Sequence, residues 1–318
     1  MSFFKSKPID IIKKSFYTDL KSKSCSPPST SPIRPTVPLS KSYQPEQKIL
    51  KKSSNVEVYI TESNGVKKVV KKTIWNETHK RCYIFNELDA LQTISSPYVP
   101  KIYGFHTSLD SQYVWMEIEC IDGVDLHQLI LPKKGTDVSN IHVPNMLEVM
   151  KQLAQGLMDI HQASFVHGDI KPENIMISEG PKITFIDFGF SCPINPLLPS
   201  GKYFRGSIPY MYPQMYQQKC KPDDYTPELL KKNDIYGLAN VFYFLVKSHP
   251  IHKILPHDNY RTYMERVLRT EPNPDTGYPT LDLLIHMMIH QVIDAKGVVQ
   301  VLEYMCSKEQ FVIPIHRT

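Results

Sequence analysis

Two aspartates and an asparagine fall within one short stretch of this chain, Phe165 to Gly189, and their spacing suits metal-assisted chemistry. Asp169 and Asp187 are the acids and Asn174 the amide, set in polar segments between apolar runs. The runs Ile175-Met176-Ile177 and Ile183-Thr184-Phe185-Ile186 flank the turn-forming Ser178-Glu179-Gly180-Pro181 and read as the two strands of a hairpin. Such a hairpin brings Asn174, at its entrance, close to Asp187, at its exit. A carboxylate and an amide oxygen that converge are suited to a hard cation such as Mg²⁺. Asp169 is then free to face a substrate.

The elements that must position these groups lie on both sides. A helix is expected from about Asn145 to His161, with Leu147, Met150, Ala154 and Leu157 as its buried stripe, and it leads directly into the stretch. Farther on, a helix beginning at Asn233 is apolar nearly all round through Val246, as a central core helix should be. Upstream, Val56 to Ile60 and Val66 to Ile74 read as strands joined at Ser63-Asn64-Gly65, and Val114 to Ile118 as a further strand. Between them, Phe85, Leu88 and Leu91 mark a helical face that also carries Glu87, a carboxylate that needs a partner if it points inward.

The sequence H-G-D-I-K-P-E-N (167–174) followed by D-F-G (187–189) resembles the catalytic loop and metal-binding motif of the eukaryotic-type protein kinases. The resemblance implies an α+β, bilobal fold with a small β-rich lobe at 46–120 and a larger helical lobe at 121–318. It implies ATP and Mg²⁺ as cofactors, Asn174 and Asp187 as metal ligands, and Asp169 as the residue that orients the acceptor hydroxyl and takes its proton. Lys171 would sit beside the transferring phosphate. With Ser207 in G-S-I-P-Y it looks like serine/threonine rather than tyrosine specificity.

Lys71 is the expected phosphate-gripping lysine, because Val69 two residues earlier shares its face and can line the adenine pocket; Lys72 is the alternative. Glu87 resembles the helix glutamate that pairs with that lysine. Ile118 aligns with the back of the adenine pocket and Glu119 with Cys120 as the hinge, the alternative register being Met116 and Glu117. Leu50, Val58 and Met176 complete the nucleotide-binding set. Asp234 resembles the buried helix aspartate that anchors the catalytic-loop backbone, and His167 is expected to organise the same backbone.

Three departures stand out. The phosphate loop, Leu50 to Val58, has none of the expected glycines, though Ser53, Ser54 and Asn55 are small. Gly168 replaces the usual arginine before the catalytic aspartate, which implies activity without phosphorylation of Ser191, Ser200 or Ser207. Gln214 stands where the family has a glutamate. A pseudokinase acting as a binding module, or a small-molecule phosphotransferase of the H-G-D type, are the rival functions. The divergent motifs and short second lobe also resemble kinases of large DNA viruses.

The remainder bounds the class. With 41% hydrophobic residues over 318 positions the chain can bury a large core, and its longest apolar run, Ile235 to Val246, falls short of a bilayer span. Six scattered cysteines with no C-x-x-C pair point to reduced thiols in a cytoplasmic compartment, which for a viral protein includes the host cytoplasm or the virion. Residues 1–45 read as a basic, largely disordered extension, since fifteen of the twenty-five residues from Lys21 to Pro45 are Pro, Ser or Thr. Ile9, Ile12, Phe16 and Leu20 within it have the spacing of a short amphipathic helix. The first 52 residues carry eleven Lys and Arg against three Asp and Glu, which suits an acidic or anionic partner. A protein bearing the Ser/Thr acceptor is the other partner implied.

Overall fold

The structure is a computed structural model that describes residues 48–53, 56–63, 65–74, 78–107, 113–194, 206–217, 226–308 and 312–314. The basic extension with its amphipathic pattern, Ser54 and Asn55 of the phosphate loop, Asn64 and Ser200 lie outside the described residues.

The amino-terminal part is an antiparallel sheet of five strands, β1 (Lys48–Lys52), β2 (Val56–Ser63), β3 (Val66–Ile74), β4 (Ile102–Thr107) and β5 (Tyr113–Glu119), in the order β1-β2-β3-β5-β4. Helix α1 (Thr78–Thr93) connects β3 to the segment before β4. Directly opposed residues of an antiparallel pair share a face. The register Val58↔Lys71↔Met116 and Ile60↔Val69↔Ile118 therefore gathers Val58, Val69, Lys71, Met116 and Ile118 on one face. The other face carries Glu57, Lys68, Lys72, Trp115 and Glu117, where Lys68 pairs with Glu117 at 2.8 Å and Lys72 with Glu57 at 3.3 Å. β5 alternates half-buried and buried side chains along its whole length, as a strand with one face on a core must.

After β5 the chain passes through β6 (Gly123–Asp125) into the short helix α2 (Leu126–Ile130), capped by Asp125, whose carboxylate accepts from the Gln128 amide at 2.8 Å. β6 pairs with β8 (Ile175–Ser178), and β8 with β9 (Lys182–Phe185), which is the hairpin expected from the sequence. Helix α3 (Met146–Gln162) runs beneath it with Leu147, Met150, Leu153, Ala154 and Leu157 fully buried. Gln152 on that helix clamps the hairpin: its amide nitrogen donates to the Pro181 carbonyl and its oxygen accepts from the Ile183 amide. Short β7 (Phe165–Val166) pairs with β10 (Cys192–Pro193), which brings the start of the Phe165 to Gly189 stretch beside the residues that follow it.

The carboxy-terminal helices are α4 (Pro213–Gln217), α5 (Pro227–Lys247), α6 (Tyr260–Arg269), α7 (Pro279–Ile289) and α8 (Ala295–Cys306). The central helix α5 starts at Pro227, six residues ahead of the expected Asn233. Its first turn has a polar surface, so apolar content understates it, while the start signal is Thr226, which accepts from the Leu229 amide ahead of a proline at the first position. From Asn233 to Val246 every residue of α5 is buried. Each large apolar side chain in such a helix contributes on the order of 1.5–3 kcal/mol by burial.

The loop between α1 and β4 ties the sheet to the helical part. Ser96 donates from its hydroxyl to Asp159 of α3 at 2.7 Å, and the Phe185 amide of β9 donates to the Tyr98 carbonyl at 2.8 Å. The result is a β-rich lobe seated on a helical lobe, as expected.

Candidate active site

The catalytic stretch is held from below by one carboxylate. Asp234, fully buried on α5, accepts from the His167 amide at 2.9 Å and the Gly168 amide at 2.8 Å, and its Oδ2 lies 3.0 Å from His161 Nε2 on α3. One turn along α5, Gly237 leaves room for the loop, since a Cβ there would fall 2.9 Å from the Ile170 carbonyl oxygen. The loop is thus bonded at its start and allowed close approach at its middle by the same helix face.

His167 carries the geometry onward. The Asp169 amide donates to its Nδ1 at 3.3 Å, which leaves Nε2 as the protonated nitrogen, donating to the Ile186 carbonyl at 3.1 Å. Its ring packs against Phe185 and Phe188 with centroids 5.8 and 4.7 Å away. The expected backbone-organising position of His167 is therefore occupied.

Asp169 is 4% exposed. Its Oδ2 accepts from Lys171 Nζ at 2.7 Å and Asn174 Nδ2 at 2.9 Å, while Oδ1 is buried with no hydrogen-bond partner. Lys171 Nζ also donates to Ser207 Oγ at 2.6 Å, so one ammonium bridges the acid and the segment opposite. The Asn174 amide nitrogen is committed to Asp169, which leaves its oxygen as the atom that could hold a cation. The Ile186 amide donates to the Asn174 carbonyl at 2.9 Å, so the entrance and exit of the hairpin are bonded immediately beside Asp187. Oxygen donors of this kind fit Mg²⁺.

Asp187 adopts a left-handed backbone, φ 61° and ψ 69°, uncommon for a residue with a side chain. Its carboxylate is half-exposed and sits 3.2 Å from Lys71 Nζ. Lys71 Nζ also donates to Glu87 Oε2 at 2.6 Å. Burial works against the Lys71 ammonium, but the Glu87 and Asp187 carboxylates outweigh it and hold its pKa above the ordinary lysine value. The Lys71 charge in turn holds the Asp187 carboxyl below the usual aspartate range. Lys72, the alternative, points to the opposite face of the sheet, where its ammonium lies 4.6 Å from the centre of the Tyr113 ring.

The remaining expected residues fall around this centre. Val58 and Val69 lie half-buried on the Lys71 face, while Met176 lies on the half-exposed face of β8, opposite the fully buried Ile175 and Ile177. Leu50 sits at a bulge in β1 between Ile49 and Lys51 and is 50% exposed. Ile118 is buried near the end of β5, where the chain leaves the sheet at Glu119 and Cys120. Glu117 is interior to the strand and paired on the far face, so the alternative register for the hinge fails. The Glu119 amide donates to the Lys101 carbonyl at 2.8 Å, so that amide is already engaged. His161 was missed by sequence reasoning, because nothing local in a helix marks a contact made 73 residues away.

A lysine–glutamate pair on a β-lobe above an acid–amide cluster on a helical lobe defines the two-lobed protein kinases. Residues 52–310 match the protein kinase domain family, and the chain belongs to it. A protein of Acanthamoeba polyphaga mimivirus, a serine/threonine-protein kinase by name, is 26% identical over 249 residues, covering 76% of this chain and 85% of that protein. Serine/threonine-protein kinase atg1 of Dictyostelium discoideum is 30% identical over 168 residues, 52% of this chain and 23% of that protein. Human serine/threonine-protein kinase ULK3 is 32% identical over 143 residues, 43% of this chain and 28% of that protein. The chain thus spans most of the viral relative and about a quarter of the other two. No helix among the described residues is long and apolar enough to cross a membrane.

Proposed function

We propose that this protein kinase transfers the γ-phosphate of ATP to serine or threonine hydroxyls of protein substrates, using Asp169, Lys171, Asn174, Asp187, Lys71 and Glu87. The observation that carries the reading is the arrangement at Asp169: one oxygen fixed by Lys171 and Asn174, the other buried and unpartnered. A buried carboxylate oxygen without a donor costs stability, and an acceptor hydroxyl supplies the missing donor.

Glu87 holds Lys71 extended into the cleft, where its ammonium would meet the α- and β-phosphates. Asn174, through its amide oxygen, and Asp187 would hold Mg²⁺, which on binding neutralises phosphate charge. Lys171, already between Asp169 and Ser207, places positive charge beside the transferring group. Leu50, Val58, Val69 and Met176 would enclose the base, and the backbone from Cys120 onward would hydrogen-bond it. Cys120, Cys192 and Cys306 are free thiols, which supports a reducing, cytoplasm-like compartment.

One observation favours a second reading, a nucleotide-binding module without transfer. Ser53 and Val56, at the end of β1 and the start of β2, bond each other: the Ser53 amide donates to the Val56 carbonyl at 2.9 Å and the Val56 amide to Ser53 Oγ at 3.2 Å. Those two amides are not available to phosphate. Labelled γ-phosphate transfer from Mg-ATP to generic basic and acidic proteins separates the readings. Wild type should transfer label to serine or threonine, and Asp169→Asn should lower the rate by about 10²-fold or more. Equal, background-level signal from both proteins leaves the binding module as the reading.

A further inference from the structure

We infer that Tyr83 and Phe190 form a clasp that positions α1, and with it Glu87, on the D-F-G turn, and that this clasp acts together with Gly168 in the catalytic loop. The inference rests on the proposed phosphotransfer only for its kinetic consequence.

Tyr83, Asn86 and Glu87 are spaced three and four residues apart on α1 and so share one face. That face meets the D-F-G segment residue by residue. The Tyr83 ring packs against Phe190, centroids 5.2 Å apart at 60°, a tilted geometry that aromatic pairs favour. Asn86 Nδ2 reaches the Gly189 carbonyl at 3.5 Å, and Glu87 reaches Lys71, whose ammonium also touches Asp187. The other end of α1 is fixed independently, through Ser96 on Asp159 and Tyr98 on Phe185. The ring pair therefore acts where the helix has leverage, one turn before Glu87.

Phe190 is in turn seated on the catalytic loop. Its carbonyl oxygen lies 2.5 Å from where a Cβ on Gly168 would be, and Gly168 has φ +83°, so a side chain there is excluded twice. Ser191, fully buried, donates from its hydroxyl to the His167 carbonyl at 3.2 Å, and the Ile194 amide donates to the Ser164 carbonyl at 2.6 Å. α1, the D-F-G turn and the loop at 167–174 are thus joined by ring packing and neutral hydrogen bonds beside the Glu87–Lys71–Asp187 ion pairs. Ser191 is enclosed and Ser207 is engaged by Lys171, so neither offers a free hydroxyl for a modification that would build this junction.

The test combines kinetics with amide hydrogen exchange on the full chain. Tyr83→Ala and Phe190→Ala should each lower kcat about tenfold while the KM for ATP changes about twofold or less, and the double variant should be no worse than either single one. Tyr83→Phe keeps the ring and should restore kcat to within about twofold. Exchange of amides in α1 and in 188–193 should speed up in the alanine variants and return to the wild-type rate in Tyr83→Phe. Should the alanine variants fail to fold, Tyr83→Leu and Phe190→Leu keep apolar bulk and should show the same changes at reduced size. Unchanged exchange at both segments, losses that multiply in the double variant, or a Tyr83→Phe protein as slow as Tyr83→Ala would each overturn the clasp. A wild type with no transferase activity would instead overturn the proposed function, and the exchange data would still decide the clasp.

Discussion

At the residue scale, the identity of position 168 is fixed by two local facts rather than by the chemistry next to it. A left-handed backbone costs a residue with a side chain about 1–2 kcal/mol, and a Cβ would overlap the Phe190 carbonyl. Gly168→Ala should therefore lower the unfolding free energy by about 1–3 kcal/mol in urea denaturation, with kcat falling as the Phe190 backbone is displaced. A variant as stable as wild type would show that the loop relaxes freely. The sequence presents the same glycine as a missing arginine. What it does not reveal is that an arginine could not enter this conformation. Lys71 against Lys72 is a similar case: strand alternation separates their faces, but the face of the cleft is decided by Glu87 and Asp187, on other elements.

At the scale of elements, local pattern was informative where period and partner agreed. The hairpin at β8 and β9 and the buried stripe of α3 were legible, because apolar spacing matches the face that is buried; on α1 Leu88 and Leu91 are buried with Glu87 as expected, but Ile84 is buried and Phe85 only half-buried. The first turns of α5 were not, since Lys231 and Lys232 face solvent and only Thr226 and Pro227 announce the start. The outer face of the β-lobe sheet also escaped sequence reading, although it carries a compact polar knot in which Glu117 accepts from Lys68 at 2.8 Å and lies 3.4 Å from His106. Those partners, His106 first, hold the Glu117 carboxyl down to about 2 from an ordinary 4.5. A lowered carboxyl pKa contributes stability that is fully present above the ordinary value and is lost as pH falls from there toward the folded one. The stability difference between wild type and Glu117→Gln should be about 1–3 kcal/mol at neutral pH and should shrink steadily below about pH 4.5. A difference that stays constant to pH 3 would show that the knot is not electrostatic.

At the scale of the whole molecule, the site depends on contacts that close over long stretches of chain. Ile313 is fully buried, its carbonyl accepts from the Met146 amide at 2.8 Å, and its amide donates to Asn145 Oδ1 at 3.1 Å. Asn145 is also the cap of α3, accepting from the Leu147 amide, so one side chain serves the helix start and the distant segment at Ile313 together. Ile313→Ala should destabilise by about 2–5 kcal/mol in denaturant titration, and a loss under about 0.5 kcal/mol would assign the segment a peripheral place. Sequence alone had no means of finding this pairing, because a single isoleucine after a helix has no period. The pairing also sets an order of events during translation. Asn145 and Ile313 are 168 residues apart, which at typical elongation rates is about 8 to 34 s of synthesis. Throughout that interval the helix that leads into the Phe165 to Gly189 stretch has been made while its closing partner has not, so the nascent polypeptide completes this fastening only after Ile313 has left the ribosome.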